Sequence, residues 1–341
     1  MENATIPGNQ TVLVTYEGQR VAAIVIGSFA MIWSVYVSSM LCVFEVYVYK
    51  KNASIGTIQR SRRRSQQVTK DSAADWMRRL CLAASLLLII RITTEFVEIR
   101  YGEISHDVCL HIRKFKSVVH SLVVTCIYLV LWVRQRGFYK MAALAQLSNP
   151  FVRSMSFFVV IIMAVTNICT IGLYLSTRAY MSSLRGCVVE WSSIWTLIPG
   201  LVLFISTLLF QIILLGLLVN PILQHLKAIR QTGMASTKTG PSKEMVLIKR
   251  VTIAAVMAIA TDIICGGISV FLLKKKYGVL RHLVYDFDML ISLTCVIVSF
   301  NDWRDRLFPF LVTPDKVVGT IRRLEGASDH TSENTNIATI S

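Results

Sequence analysis

Long apolar runs alternate along the chain with short polar connectors, most of them basic. The runs occupy roughly residues 22–48, 79–99, 117–133, 154–175, 194–223, 251–273 and 283–300. Each approaches the ~20 residues that an α-helix needs to cross ~30 Å of hydrocarbon. The pattern predicts an all-α membrane protein, a seven-transmembrane helix bundle over residues 21–310. A short polar tail (1–20) precedes it, and a polar, Ser/Thr-rich tail (311–341) that reads as disordered follows it. The runs show no alternation of period two, which excludes an outer-membrane barrel.

Composition agrees with this reading. The chain is 54% hydrophobic and 16% charged, and its mean hydropathy is +0.56, too apolar for a soluble domain of 341 residues. The net charge of +16 is unevenly placed. Segment 50–79 contains Lys50, Lys51, Arg60, Arg62, Arg63, Arg64, Lys70, Arg78 and Arg79, whereas residues 1–19 hold no Lys or Arg. Loops rich in Lys and Arg stay cytoplasmic, so the N-terminus is expected outside and, after seven crossings, the C-terminus in the cytoplasm. The basic loops 134–153 and 225–250 then also fall inside. Lys274, Lys275 and Lys276 run against this rule, because they fall in an outer loop.

The outer tail holds two glycosylation sequons, at Asn3 and Asn9; a third match at Asn52 lies in the first inner loop, where the motif has no glycosylation machinery to meet. The first twenty residues lack the basic-then-apolar order of a cleavable signal peptide, so the first span is expected to act as an uncleaved anchor. The cluster Arg60 to Arg64 is a short connector between spans. It suits anionic inner-leaflet lipids better than nucleic acid, which is usually met by a folded basic face.

Six of eight cysteines (Cys42, Cys81, Cys126, Cys169, Cys265, Cys295) fall within apolar runs, where free thiols behave as small hydrophobes. The other two are Cys109, at the outer start of span three, and Cys187, in the longest outer loop. Both lie on the oxidising side, where a bridge persists. Such a bridge would pin that loop over the mouth of the bundle; the alternative is two unpaired thiols.

Span three closes in "LWVRQRGFYK", where Arg134, Arg136 and Lys140 are interleaved with aromatic residues. Together with the glycosylatable outer tail, the seven runs, the Cys109 and Cys187 pair and Pro199 in "SIWTLIPGLVLF", this resembles the rhodopsin-like (class A) G protein-coupled receptors over the whole chain. In that family an arginine closes span three about twenty-five residues after its cysteine, and Arg134 stands at that interval from Cys109. The family's Asp-Arg-Tyr is here Val133-Arg134-Gln135. Span two has no aspartate, span six has Asp262 to Gly267 rather than Cys-Trp-x-Pro, and span seven ends in "SFNDWRDRLFPF" without Asn-Pro-x-x-Tyr. The resemblance implies a cell-surface receptor of the plasma membrane that binds an extracellular ligand and activates heterotrimeric G proteins. It implies that Pro199 kinks span five, and that "FNDWRDRLFPF" forms an amphipathic helix along the inner membrane surface with Phe300, Trp303, Leu307, Phe308 and Phe310 as its apolar side. Arg134 is implied to be the coupling switch. Its inactive-state clamp would be Glu244, eighteen residues and so five turns before Asp262 on one helix face.

Ionisable groups within a span cost at least ~2.5 kcal/mol each, so they face the bundle interior and pair or bind something. Arg91, Glu95, Asp262, Asp286 and Asp288 are the candidates, and together they form a candidate ligand site in the outer half of the bundle. The alternatives are internal pairs: Arg91 with Glu95 one turn away, or Arg91 with Asp262 or Asp288. Span seven lacks a lysine, so no retinal Schiff base is expected, and no cofactor or metal is expected either. The scattered histidines show no metal spacing, and no phosphate loop or nucleophile elbow is present, which argues against an enzyme. A multi-span transporter or channel is the alternative, motivated by the charges within spans. The chain lacks the internal repeat common to many secondary transporters.

Overall fold

The computed structural model describes residues 8–55, 67–101, 106–139, 150–177, 180–183, 186–189, 198–231, 243–274, 278–300 and 302–308. The described residues are helical apart from one hairpin and the short turns beside the last helix. The order is α1 (Gly8–Ile55), α2 (Gln67–Tyr101), α3 (His106–Tyr139), α4 (Pro150–Thr177), β1 (Tyr180–Ser183), β2 (Gly186–Val189), α5 (Ile198–Gln231), α6 (Lys243–Lys274), α7 (Gly278–Val298) and α8 (Trp303–Leu307). Of the expected features, Asn3, Arg60 to Arg64, Lys275 and Lys276, Phe310 and the tail 311–341 lie outside the described residues.

Among the described residues, five helices are long and apolar enough to cross a membrane: α1 over Glu17–Lys50, α2 over Ala73–Tyr101, α3 over His106–Gly137, α4 over Ser154–Ser176 and α6 over Thr252–Leu272. The other two predicted spans also coincide with helices. In α5 the fully described apolar stretch is Phe204–Leu217. The 21-residue α7 carries Arg281, Asp286 and Asp288. Helices suit these runs because hydrocarbon offers no partner for backbone groups, so each N–H and C=O must be satisfied within its own segment.

The core lies between α1, α2, α3 and α7, and its spacing is helical. Leu88, Ile92, Glu95 and Ile99 of α2 are buried at steps of four, three and four, as are Val119, Val123, Ile127, Val130 and Arg134 on α3. Leu293, Val296 and Ile297 of α7 meet Val37 and Leu41 of α1 in the same cluster. A second cluster joins Tyr128 of α3, Val159 and Met163 of α4, and Phe210 and Leu214 of α5. The opposite faces expose large apolar side chains, among them Ile32 at 70% and Ile168 at 68%. Continuous exposed apolar faces of this kind suit lipid rather than water. Small polar groups cross-link the helices: Trp33 Nε1 donates to Thr294 Oγ1 (3.3 Å), Trp132 Nε1 to the Ser156 carbonyl (3.1 Å), and Asn167 Nδ2 to Thr125 Oγ1 (3.0 Å).

The hairpin pairs antiparallel, Tyr180 opposite Val189 and Ser183 opposite Gly186. Cys187 in β2 is bonded to Cys109 in the first turn of α3, with Cα atoms 5.6 Å apart, so the expected disulfide is present. One turn further along α3, Arg113 donates to the Cys187 carbonyl (3.0 Å). The hairpin therefore packs on α2 and α3.

Pro199 stands at the second residue of α5, a position where a missing N–H costs nothing; residues 191–197 before it lie outside the described ones. In the segment after α7 the described residues form the five-residue α8. Leu307 and Phe300 are buried in the core, Tyr36 of α1 donates to the Leu307 carbonyl (2.8 Å), and Arg306 lies 3.9 Å from the centre of the Phe300 ring.

Candidate functional site

The five expected ligand-site residues do not converge. They separate into a self-neutralised ion cluster and a cavity, at different faces of α7.

The cluster joins α2, α3 and α7. Arg91 pairs with Asp286, Lys116 with Glu95, and Arg113 with Glu98. Lys116 Nζ also lies 2.9 Å from Glu98 Oε2, Arg91 donates to the Lys116 carbonyl (3.3 Å), and Arg113 meets His282 Nε2. The three paired cations match the three carboxylates in number, and Arg281 of α7 adds a further positive charge close to Lys116 and His282. Asp286 is fully buried and none of the other five is more than 4% exposed. Charges at that depth persist only when paired and hydrogen-bonded. Arg91, Glu95 and Asp286 thus have protein partners. Arg91 chooses Asp286, rather than Glu95 one turn away or either of Asp262 and Asp288.

Glu98, Arg113, Lys116 and His282 are absent from the sequence-derived site. Their signal was present: Arg91, Glu95 and Glu98 share one face of α2, and Cys109, Arg113, Lys116 and His120 share one face of α3. The apolar run of span three begins at 117, so Arg113 and Lys116 fall just outside it.

The cavity, about 120 Å³, lies between α3, α5, α6 and α7. On α7, Asp288 stands three residues from Tyr285 and eleven from Ser299, so Asp288, with Asp262 of α6, lines the cavity toward His120 and Tyr285, while Arg134 and Ser299 line its other end. The two carboxyl groups lie within hydrogen-bonding reach of one another. Gln211 Nε2 donates to Asp262 Oδ2, Tyr128 donates to the Thr207 carbonyl (3.3 Å), and the Cys265 thiol reaches Asp288. Most of the remaining lining is aliphatic, with Phe204 as a further aromatic wall.

Gly266 sets the width of this wall. A Cβ there would collide with the Phe204 ring, so α5 and α6 approach to a distance that only glycine allows. Gly266→Ala is expected to displace Phe204 and cost about 1–3 kcal/mol, less the few tenths to one that alanine returns as a better helix former. Thermal unfolding of the detergent-solubilised protein reads this. Gly267→Ala, where an added Cβ meets nothing within 4 Å, is the control and should be neutral or stabilising.

At its other end, Arg134 donates to both Ser299 Oγ and the Ser299 carbonyl and lies 5.1 Å from the Phe300 ring centre. It is 7% exposed. The end of α3 is thereby tied to the end of α7. Glu244 lies in the first turn of α6, and its side chain is outside the described residues, as is that of Asn9 in the first turn of α1.

No protein-family model matches the chain, and no curated protein matches it.

Proposed function

We propose that this chain is a plasma-membrane receptor that binds an extracellular ligand and activates heterotrimeric G proteins. In this reading α1 to α7 cross the membrane seven times, with the N-terminus outside and the C-terminus in the cytoplasm. The observation that carries it is the single cavity lined by both Asp262 and Asp288 and, further along, by Arg134. A ligand among the carboxyl groups and an arginine tied to α7 through Ser299 share one space, so occupancy at one end has a short physical route to the other. Positive-inside charge gives the orientation, because segment 50–79 is the most basic connector. The Cys109–Cys187 bridge then faces the oxidising side.

A ligand shifts such a protein only by its difference in affinity for two states. Resting activity is therefore measurable before the ligand is known. In cells expressing the chain with a panel of G-protein dissociation sensors, at least one sensor is expected to show expression-dependent basal dissociation. Silence of every sensor at verified surface expression would contradict the proposal.

A further inference from the structure

We propose that the cavity between α5, α6 and α7 is a site for a small organic monocation, a protonated amine on an apolar body, held between Asp262 and Asp288. The inference rests on the reading of this cavity as the ligand site.

Charge gives the sign of the ligand. Three acids in spans are already matched by Arg91, Arg113 and Lys116, whereas Asp262 and Asp288 face each other across the cavity wall. A carboxyl pair that shares one proton carries one net negative charge. One positive charge is its complement, and the shared proton need not leave.

Polar geometry gives the point of attachment. Asp288 Oδ1 and Gln211 Oε1 are buried and without hydrogen-bond partners among the described residues, and both side chains line the cavity. Gln211 is 9% exposed. Its amide nitrogen is already committed to Asp262, so its oxygen is left as an acceptor. An ammonium group brings up to three donors to the polar edge that these two side chains give the cavity. A neutral or anionic ligand leaves the charge of the carboxyl pair unmatched, since Arg134, which also lines the cavity, is held at Ser299, eleven residues along the chain from Asp288.

Size and lining give the body. At roughly 10–15 Å³ per water-sized occupant, the cavity takes about eight to twelve non-hydrogen atoms, enough for one aromatic ring and a short chain but not for a peptide. Val124, Leu208, Ala258 and Ile259 supply apolar wall, and Tyr128 and Tyr285 supply aromatic faces of the kind that attract cations.

The test uses the full chain purified in detergent, with thermal unfolding as the readout and 2-phenylethylamine as probe. The amine is expected to raise the melting temperature with increasing concentration. Its uncharged isostere 2-phenylethanol should not do so at the same concentrations. Asp262→Asn and Asp288→Asn, which keep shape, should each weaken the amine effect about tenfold or more. Should either variant fail to fold, Ala258→Met, which fills the apolar wall and leaves both carboxyls, should weaken it similarly. Equal stabilisation by the alcohol, an equal effect of sodium chloride at millimolar concentration, or unchanged amine binding in the Asn variants would each overturn the proposal. Binding is read here without G protein, so the amine can fail while basal signalling stands, and the reverse.

Discussion

Asp286→Ala is expected to remove most of the folded protein, through the largest single destabilisation in the molecule. The Asp286 carboxylate is fully buried and Arg91, its partner, is 3% exposed. Truncation leaves a guanidinium deep between α2, α3 and α7, with the Lys116 carbonyl as its remaining acceptor among the described residues. Removing one member of a buried pair costs about 3–5 kcal/mol, because the survivor's charge is uncompensated. Surface expression and thermal unfolding in detergent read the loss. Replacing both members by apolar residues, Arg91→Met with Asp286→Leu, should recover much of it, since the isolated charge is then gone. Glu45→Gln is the contrast. Its pair with Arg78 spans 3.0 Å between α1 and α2, but Glu45 is 32% exposed, and such pairs contribute about 0–1 kcal/mol. A small effect of Asp286→Ala alone would mean that the cluster does not hold α7 to α2 and α3.

The helices were legible because hydrophobic runs in a membrane protein answer to one strong constraint, the internal satisfaction of the backbone. All seven predicted runs coincide with helices, and among the described residues five are apolar and long enough to stand as spans by themselves. The polar ends of helices were less legible. The apolar run of span three begins at 117, yet α3 begins at His106, because Arg113 and Lys116 are neutralised by α2 and need not sit in water. The turns before that run hold two of the three paired cations of the ion cluster. Which acid pairs with which base is a property of how α2, α3 and α7 rotate against each other, and local spacing does not contain it. Local spacing favoured Arg91 with Glu95, and packing delivered Asp286. The Cys109–Cys187 bridge, by contrast, followed from exclusion: the other six cysteines lie in apolar runs. Gln211, Tyr128 and Ser299 were missed because uncharged polar residues within a span are common and give no signal of which cavity they face.

Arg134→Ala is the second large effect expected. The side chain ties α3 to the end of α7 through two hydrogen bonds to Ser299, and under the receptor proposal its release opens the inner end of the cavity to the G protein. Alanine removes the group on which that coupling depends, so G-protein activation should be abolished. Amine binding at Asp262 and Asp288 should survive, because neither residue contacts Arg134 among the interactions described. Ser299→Ala tests the opposite direction. It removes the hydroxyl acceptor and leaves the backbone one, weakening the tie by about 1 kcal/mol, which shifts a resting two-state population about fivefold. Basal activity is expected to rise. A fall would assign Ser299 to the active state instead.

The most direct measurement compares G-protein dissociation in cells expressing the native chain, Ser299→Ala and Arg134→Ala at matched surface density. The receptor account predicts basal dissociation from at least one G protein with the native chain, more with Ser299→Ala and none with Arg134→Ala. Equal dissociation from the native chain and Arg134→Ala, or none from any of the three, would contradict it.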